Sequence, residues 1–357
     1  MHLSQAAGYV TLGAGLFQIA LLCNAQQAPP PPTLAVQVQL VNLPVVVRDK
    51  NGAFVTTLSK DDFALAVDNR QQPIRYFDRD NNLPLTLGLL IDISGSVRSV
   101  LEDERIASED FLDQMMISPV GRPPDEAFLV QFAHEVDVLQ DRTSSVPRLR
   151  TALQRVGDEP HNSSENRGNS GYGGYGRHGG FRGGTALYDA IYSASTDLMM
   201  NEQGRKAIVL LTDGEDRGSN QTMNNAIAAA QRAETVVYAI YFQGEQHGYG
   251  GYGRGGLGGH GGGFPGGGGR GGEQHVDGRK VLEQITKETG GRMFEVSPKQ
   301  TFAAIYTQIG EELRSQYRLG YVPDASAASV GFHRIELTLP KNKRLFVQTR
   351  AGYYLGE

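Results

Sequence analysis

The apolar positions from Leu83 onward fall into two alternating patterns. Short runs that are apolar at almost every position, such as 85–91 and 207–211, are typical of strands covered on both faces. Between them, apolar residues recur every three or four positions, as in 97–116, which predicts amphipathic helices. Strands that alternate with helices predict an α/β fold with a doubly wound, mostly parallel sheet. Further strands are predicted at 127–132, 136–139, 236–241 and 293–296, and further helices at 149–153, 185–198, 223–233, 281–289 and 302–313.

Both ends of the chain have the pattern of strands alone. Apolar residues alternate with polar ones at 36–40 and 63–67, Val45-Val46-Val47 form a short apolar run, and Asn51-Gly52 after that run predicts a hairpin turn. After the last helix, strands are predicted at 317–322, 332–339 and 345–349. We predict that these C-terminal strands complete a small β-rich module begun by the N-terminal segment. The predicted organisation is a β-rich module at 34–82, an α/β domain at 83–316 and a C-terminal β segment at 317–357.

The first 25 residues have the pattern of an export signal. An apolar stretch at 6–22 is followed by Cys23-Asn24-Ala25, a small-residue cleavage site, and by a Pro-rich linker at 26–33. We therefore expect an exported protein that is periplasmic, associated with the cell envelope or secreted. Because no Lys or Arg precedes the apolar stretch, an uncleaved membrane anchor and a wrongly placed start are the alternatives. Later apolar segments are too short to span a bilayer, and a processed chain would keep no cysteine.

Two glycine-rich insertions interrupt the α/β region, at 171–184 and 244–276. Both contain the heptapeptide Gly-Tyr-Gly-Gly-Tyr-Gly-Arg, which begins at Gly171 and again at Gly248. So much glycine cannot form a packed core, which favours a flexible, solvated insertion without a defined partner. A surface that assists adhesion, metal sequestration by the nearby histidines and arginine-glycine binding of nucleic acid are the alternatives. The net charge of −5 and the predicted export both argue against nucleic acid.

Three fragments carry side chains suited to a cation, and each stands at a predicted element boundary. Asp92-Ile93-Ser94-Gly95-Ser96 follows the first buried strand, Thr212-Asp213-Gly214 follows the second, and Gly183-Gly184-Thr185 precedes a helix. Ligands of open α/β sheets bind at the carboxyl ends of the strands. Hydroxyl and carboxylate oxygens are hard ligands that suit Mg²⁺ or Mn²⁺ and do not suit zinc. We therefore predict a divalent-cation site formed by Asp92, Ser94, Ser96, Thr185 and Asp213.

Each fragment taken alone also has a plainer interpretation. The serines can cap a helix, Thr185 is more readily explained as an N-cap, and Asp213-Gly214 is an ordinary turn pair. The three fragments in this order favour a site instead. The neighbouring Glu215 and Asp216 are expected to be solvated, and His134 is expected to have a structural role.

The order Asp-x-Ser-x-Ser, then Thr, then Asp resembles the metal-ion-dependent adhesion site of the von Willebrand factor A family. This resemblance covers about residues 84–316 and implies the Rossmann-like fold of that family. It also implies direct contact of the metal with Ser94, Ser96 and Thr185, and contact mainly through water for Asp92 and Asp213. The whole chain looks similar to a bacterial group of exported proteins, from which it departs by its two insertions, both predicted to emerge near the metal.

The predicted coordination of the cation suggests a function. Neutral hydroxyl ligands leave a cation strongly electrophilic, and this ligand set leaves one position open for a carboxylate of another molecule. We expect a non-enzymatic, extracytoplasmic binding or adhesion module that holds an Asp or Glu of a protein partner. An envelope scaffold with a mainly structural metal is the second hypothesis, and an enzyme or a metal-sequestering protein is the third. Against an enzyme, neither serine lies in a Gly-x-Ser-x-Gly elbow, and no P-loop or dinucleotide fingerprint is present.

Overall fold

Strands and helices alternate through the middle of the chain, while strands predominate at both ends. The computed structural model describes residues 40–79, 83–117, 123–158, 184–243, 277–323 and 330–355. The strands are β1 Val41–Arg48, β2 Ala64–Val67, β3 Arg70–Gln72, β4 Tyr76–Asp78, β5 Leu85–Asp92, β6 Glu126–Phe132, β7 Val136–Thr143, β8 Arg205–Thr212, β9 Val236–Tyr241, β10 Met293–Glu295, β11 Tyr317–Tyr321, β12 Gly331–Thr338, β13 Phe346–Gln348 and β14 Gly352–Leu355. The α-helices are α1 Leu101–Met115, α2 Val146–Leu153, α3 Leu187–Ser193, α4 Met223–Arg232, α5 Gly278–Thr289 and α6 Phe302–Arg314. A 3-10 helix spans Lys60–Asp62, and α3 continues as a π-helix over Ala194–Met199.

The predicted export signal, the Pro-rich linker and almost all of both glycine-rich insertions lie outside the described residues. Within the described ranges, no helix is both long enough and apolar enough to cross a membrane. The five histidines considered for metal sequestration, at 161, 178, 247, 260 and 275, also lie outside.

A six-stranded sheet forms the centre of the fold, in the order β10-β9-β8-β5-β6-β7. Neighbouring strands are parallel except β7, which pairs antiparallel with β6. The strand β7 runs in reverse because a short turn, rather than a crossover helix, connects it to β6. Helices pack on both faces, so the predicted doubly wound, mostly parallel sheet is confirmed.

Alternation of side chains along the buried strands divides the core into two layers. Leu87 and Leu89 of β5 pack on one face together with α1, α2 and α6, whereas Leu90 packs on the other with α3, α4 and α5. The aromatic ring of Phe128, from β6, fills the space next to Gly88, where an added Cβ would lie 2.4 Å from the ring. A small residue at position 88 is therefore required by this packing.

Strands from the two ends of the chain join in two further sheets, in the orders β13-β1-β11-β4 and β14-β12-β2-β3. They enclose a third hydrophobic core, in which Leu43, Leu65 and Tyr317 are almost completely buried. This confirms that the C-terminal strands complete the N-terminal module. The boundaries at 83 and 317 remain a prediction, because residues 39–357 form one compact unit.

The β-rich module contains three strands that the sequence pattern did not predict. The strands β3 and β4 lie at sheet edges, where polar and exposed residues such as Arg70 hide the alternation of apolar side chains. The third, β14, is only four residues long. The predicted hairpin turn is present, and Gly52 adopts a φ of +86°, which favours glycine.

A carboxyl group lies fully buried between α1 and α6. Glu104 accepts hydrogen bonds from Ser108 Oγ at 2.5 Å and from the Tyr306 hydroxyl at 3.1 Å. Its Oε2 atom has no hydrogen-bond partner among the described residues. Burial raises the pKa of Glu104 to about 7, although both hydrogen bonds act in the opposite direction. Ionisation of this carboxyl therefore opposes folding.

We predict that Glu104→Gln stabilises the protein in a pH-dependent way. Because the folded pKa lies above the unfolded value of 4.5, the contribution of Glu104 to stability is lost as pH rises through 7. The gain in unfolding free energy of the variant over the wild type should therefore grow between pH 4.5 and 7, and it should be on the order of 3 kcal/mol at pH 8. Urea unfolding at several pH values measures it, with the exposed Glu336→Gln as the control for one lost charge. An advantage that does not change with pH would contradict the prediction.

We also predict that Gly88→Ala destabilises the fold by about 1–3 kcal/mol, because the new methyl group overlaps the Phe128 ring. The double variant Gly88→Ala/Phe128→Leu should recover part of this loss, since the smaller side chain frees the contested volume. Denaturant unfolding of both single variants and the double variant gives the coupling energy. Strictly additive losses would show that the ring is not what excludes a side chain at position 88.

Candidate metal centre

Two of the predicted fragments meet because β5 and β8 are neighbours in the parallel sheet. Ile91 pairs with Leu211, so Asp92 at the end of β5 stands beside Thr212 at the end of β8, although 120 residues separate them in the chain. Asp213 follows directly. The sheet topology therefore places both acidic residues at one carboxyl edge, where ligands of α/β folds bind.

Asp92 is completely buried and connects the two fragments. Its Oδ1 atom accepts a hydrogen bond from the Ser94 backbone N–H at 2.8 Å, and its Oδ2 atom accepts one from Thr212 Oγ1 at 2.7 Å. Thr212 Oγ1 in turn accepts the Gly214 N–H at 3.0 Å. Burial raises the pKa of Asp92 to about 6, and the nearby charge of Asp213 adds to the shift. A positive charge at this edge would favour the ionised carboxylate.

The side chains of Ser94, Ser96 and Asp213 converge above this buried carboxylate. The two serine Oγ atoms are 3.2 Å apart, and Ser96 Oγ donates to Asp213 Oδ2 at 2.6 Å. The other oxygen of Asp213 accepts the Glu215 backbone N–H at 3.1 Å. Both serines are partly exposed, so the cluster is accessible from solvent. The helix α1 starts at Leu101 without a side-chain cap, which excludes the alternative that the serines cap it.

Thr185 lies against the loop that continues from Asp213. Its carbonyl oxygen accepts the Arg217 N–H at 3.0 Å, and an added Cβ on Gly184 would lie 2.8 Å from the Arg217 carbonyl oxygen. The N-cap interpretation of Thr185 is wrong, since α3 begins at Leu187 and has no side-chain cap. The structure thus brings the backbone of Thr185 to the same edge as Asp213.

Sequence reasoning missed the role of the loop at 216–219. Ser219 Oγ accepts the backbone N–H groups of Tyr188 and Asp189 at 3.0 and 3.1 Å, and Asp216 Oδ1 accepts that of Tyr188 at 3.3 Å. These bonds satisfy the first turn of α3. The expectation of a solvated Asp216 is therefore wrong, and burial raises the pKa of its carboxyl. Glu215 forms an ion pair with Arg217 at 2.6 Å.

Both glycine-rich insertions rejoin the fold beside this loop. The first ends at Gly184, its one described residue, and the second is followed by Asp277-Gly278, which packs directly on the backbone of the second acidic fragment. An added Cβ on Gly278 would lie 2.2 Å from the Asp213 carbonyl oxygen, and one on Gly214 would lie 2.3 Å from the Gly278 carbonyl oxygen. Glycine is required at both positions by this close approach. Gly184 and Gly278 therefore lie beside the cluster of oxygen atoms.

Within the described ranges, at this edge as elsewhere, no group of three or more His, Cys, Asp or Glu side chains is arranged to hold a metal ion. The cluster at the carboxyl edge is of another kind, because it combines the hydroxyl groups of serines with two carboxylates. Such a set matches hard divalent cations such as Mg²⁺ and Mn²⁺ better than zinc, which prefers sulfur and nitrogen ligands. These residues therefore fit a hard divalent cation.

Comparison with known proteins agrees with the fold. Residues 87–215, which run from within β5 to just beyond Asp213, match the family model of the von Willebrand factor type A domain. This segment is thus similar to that family, in agreement with the resemblance carried by the three fragments. All five predicted ligand positions lie inside the match. A comparison with curated proteins found no match.

Solved structures resemble the chain at low identity. An aerotolerance-related membrane protein from Bacteroides fragilis is 16% identical with a TM-score of 0.41, over 64% of this chain and 98% of that chain. The vWF domain of a type V pili tip protein from Porphyromonas gingivalis is 12% identical with a TM-score of 0.40, over 64% and 94%. Proximal thread matrix protein 1 from the mussel byssus, solved with a zinc-occupied MIDAS motif, is 15% identical with a TM-score of 0.42, over 69% and 49%. Likenesses this distant carry no argument about function.

We predict that Thr212→Val lowers the free energy of unfolding by about 1–3 kcal/mol, because it leaves the buried Asp92 Oδ2 and the Gly214 N–H without their common partner. Thr212→Ser keeps the hydroxyl and should retain most of the stability. Both variants are measured by urea unfolding in EDTA, so that no bound cation contributes. Equal losses for valine and serine would mean that the hydrogen bonds of Thr212 contribute little.

Proposed function

We propose that Asp92, Ser94, Ser96, Thr185 and Asp213 hold one divalent cation, Mg²⁺ or Mn²⁺, at the carboxyl edge of the central sheet. The observation that carries this proposal is the convergence of three side-chain oxygens. Neighbouring ligand oxygens around an octahedral Mg²⁺ lie about 3.0 Å apart, given metal–oxygen distances of about 2.1 Å. The separations of 3.2 Å between the serine hydroxyls and 2.6 Å between Ser96 and Asp213 are close to that spacing.

The carboxylates have separate roles in this proposal. Both oxygens of Asp92 already accept hydrogen bonds from Ser94 and Thr212, so Asp92 holds the loops in place and neutralises charge through water. Asp213 directs Oδ2 at Ser96 and Oδ1 at the Glu215 N–H, and it is slightly exposed, whereas Asp92 is completely buried. Two acidic groups at this edge repel each other in the absence of a cation, which is one cause of the raised pKa of Asp92.

A site of this kind supports binding of a protein partner. When bound, the cation supplies an electrophilic centre that accepts an oxygen from an Asp or Glu of another protein. Ser94, Ser96 and the exposed Gly95 leave access from solvent, and Gly184 and Gly278, the described residues next to the two insertions, border the same edge. We therefore propose a non-enzymatic, exported binding or adhesion module, with the insertions controlling how a partner reaches the ion.

The metal proposal predicts that Ser96→Ala weakens Mg²⁺ affinity at least tenfold, because it removes the oxygen that lies between Ser94 and Asp213. The exposed Ser99→Ala, in the same loop but outside the cluster, is the matched control and should bind as the wild type does. Isothermal titration with MgCl₂ and with MnCl₂ measures both. Unchanged affinity in Ser96→Ala would refute the site.

The binding function is tested by capturing partners from a native cell envelope with the wild-type protein, in Mg²⁺ and in EDTA. The proposal expects a partner that is released by EDTA, is lost with Ser96→Ala and is kept with Ser99→Ala. The alternative of an envelope scaffold expects the partner to remain bound in EDTA while the unfolding temperature falls. That second result would leave the cation site intact but reject the adhesion mechanism.

A further inference from the structure

The turn between β6 and β7 contacts both segments that carry the proposed hydroxyl ligands. The Phe132 carbonyl oxygen accepts the Ile93 N–H at 2.9 Å, so the last residue of β6 holds the loop between Asp92 and Ser94. The Ala133 carbonyl oxygen accepts the Ala186 N–H at 2.6 Å, directly after Thr185. One short segment therefore sets the position of two parts of the chain that are distant in sequence.

His134 completes this arrangement with its side chain. Its Nδ1 atom accepts the Gly184 backbone N–H at 2.8 Å, directly before Thr185. Because a backbone N–H can only donate, Nδ1 carries no proton and the ring proton is on Nε2. The residues on both sides of Thr185 are thus held by Ala133 and His134, and the Arg217 N–H holds the Thr185 carbonyl oxygen from the opposite side.

Thr185 depends on these contacts more than the two proposed carboxylate ligands do. Asp92 belongs to β5, and Asp213 directly follows β8, so the central sheet positions them. Thr185 belongs to no helix or strand, and it directly follows the first insertion, of which only Gly184 is described. Its position is therefore determined by the hydrogen bonds of Gly184, Ala186 and its own carbonyl oxygen.

We infer that His134 is a positioning residue for the cation site, which it serves by holding Gly184 and thereby Thr185 against the rest of the ligands. This inference rests on the proposed function, since it concerns the same cation. The His134 imidazole is exposed, and it accepts a hydrogen bond from the Gly184 backbone N–H rather than packing in the core. Its removal should therefore affect the site more than the fold.

The test uses three variants that differ in the hydrogen-bond acceptor they keep. In His134→Asn the amide oxygen can take the place of Nδ1, whereas in His134→Gln the amide group reaches towards the position of Nε2. His134→Ala keeps neither. We expect Mg²⁺ affinity of the full chain, measured by titration with MgCl₂, to fall about tenfold in the Ala and Gln variants and to stay within about threefold of wild type in the Asn variant.

Two further measurements separate positioning from general damage. Unfolding midpoints in EDTA should be similar for all variants, and hydrogen exchange over 184–187 in EDTA should be faster for Ala and Gln than for Asn. Wild-type Mg²⁺ affinity in His134→Ala would overturn the inference while leaving the cation site standing. Equal losses in all three variants would also overturn it, because the Nδ1 acceptor would then not matter. A wild-type protein that binds no Mg²⁺ would refute the proposed function and this inference with it.

Discussion

The buried carboxylate of Asp92 is the interaction on which the candidate site depends. It lies between two parallel strands, and its two oxygens hold the Ser94 backbone on one side and the Thr212 hydroxyl on the other. Because β5 and β8 are neighbours, this contact aligns the loops that present Ser96 and Asp213. A buried charge is costly unless it is compensated, and the raised pKa of Asp92 reflects that cost. A cation at this edge would offset the cost of burying the Asp92 charge. The folding of the loops is therefore linked to their proposed function.

Much of this architecture was predictable from the sequence because burial on both faces leaves a clear pattern. Strands such as β5 and β8 are apolar at most positions, and in the helices between them apolar residues recur every three or four positions. The edge strands β3 and β4 were missed, since one-sided exposure and short length remove that pattern. The joining of both chain ends in one β-rich module was predicted from their shared strand-only character and is confirmed.

The candidate site was predictable only as far as its residue types and order. The motif indicated which side chains carry oxygen ligands, but tertiary contacts decided how they are held. Nothing near Thr212 in the sequence shows that its hydroxyl bonds to Asp92, and nothing near His134 shows that it holds Gly184. Asp216 was expected to be solvated because acidic residues usually are, yet it accepts hydrogen bonds at the start of α3. These contacts join positions far apart in the chain, which no local pattern encodes.

The proposed binding function requires one cation held between the hydroxyl groups of Ser94, Ser96 and Thr185. Crystals of the protein grown with MnCl₂ would test this most directly, because the anomalous scattering of manganese locates the ion independently of any assumed ligands. The proposed site requires one strong peak at the carboxyl edge of the central sheet, beside the serine hydroxyls and Asp213, and this peak should disappear in Ser96→Ala. Crystals in which manganese binds elsewhere on the surface, with no peak at this edge, would contradict it.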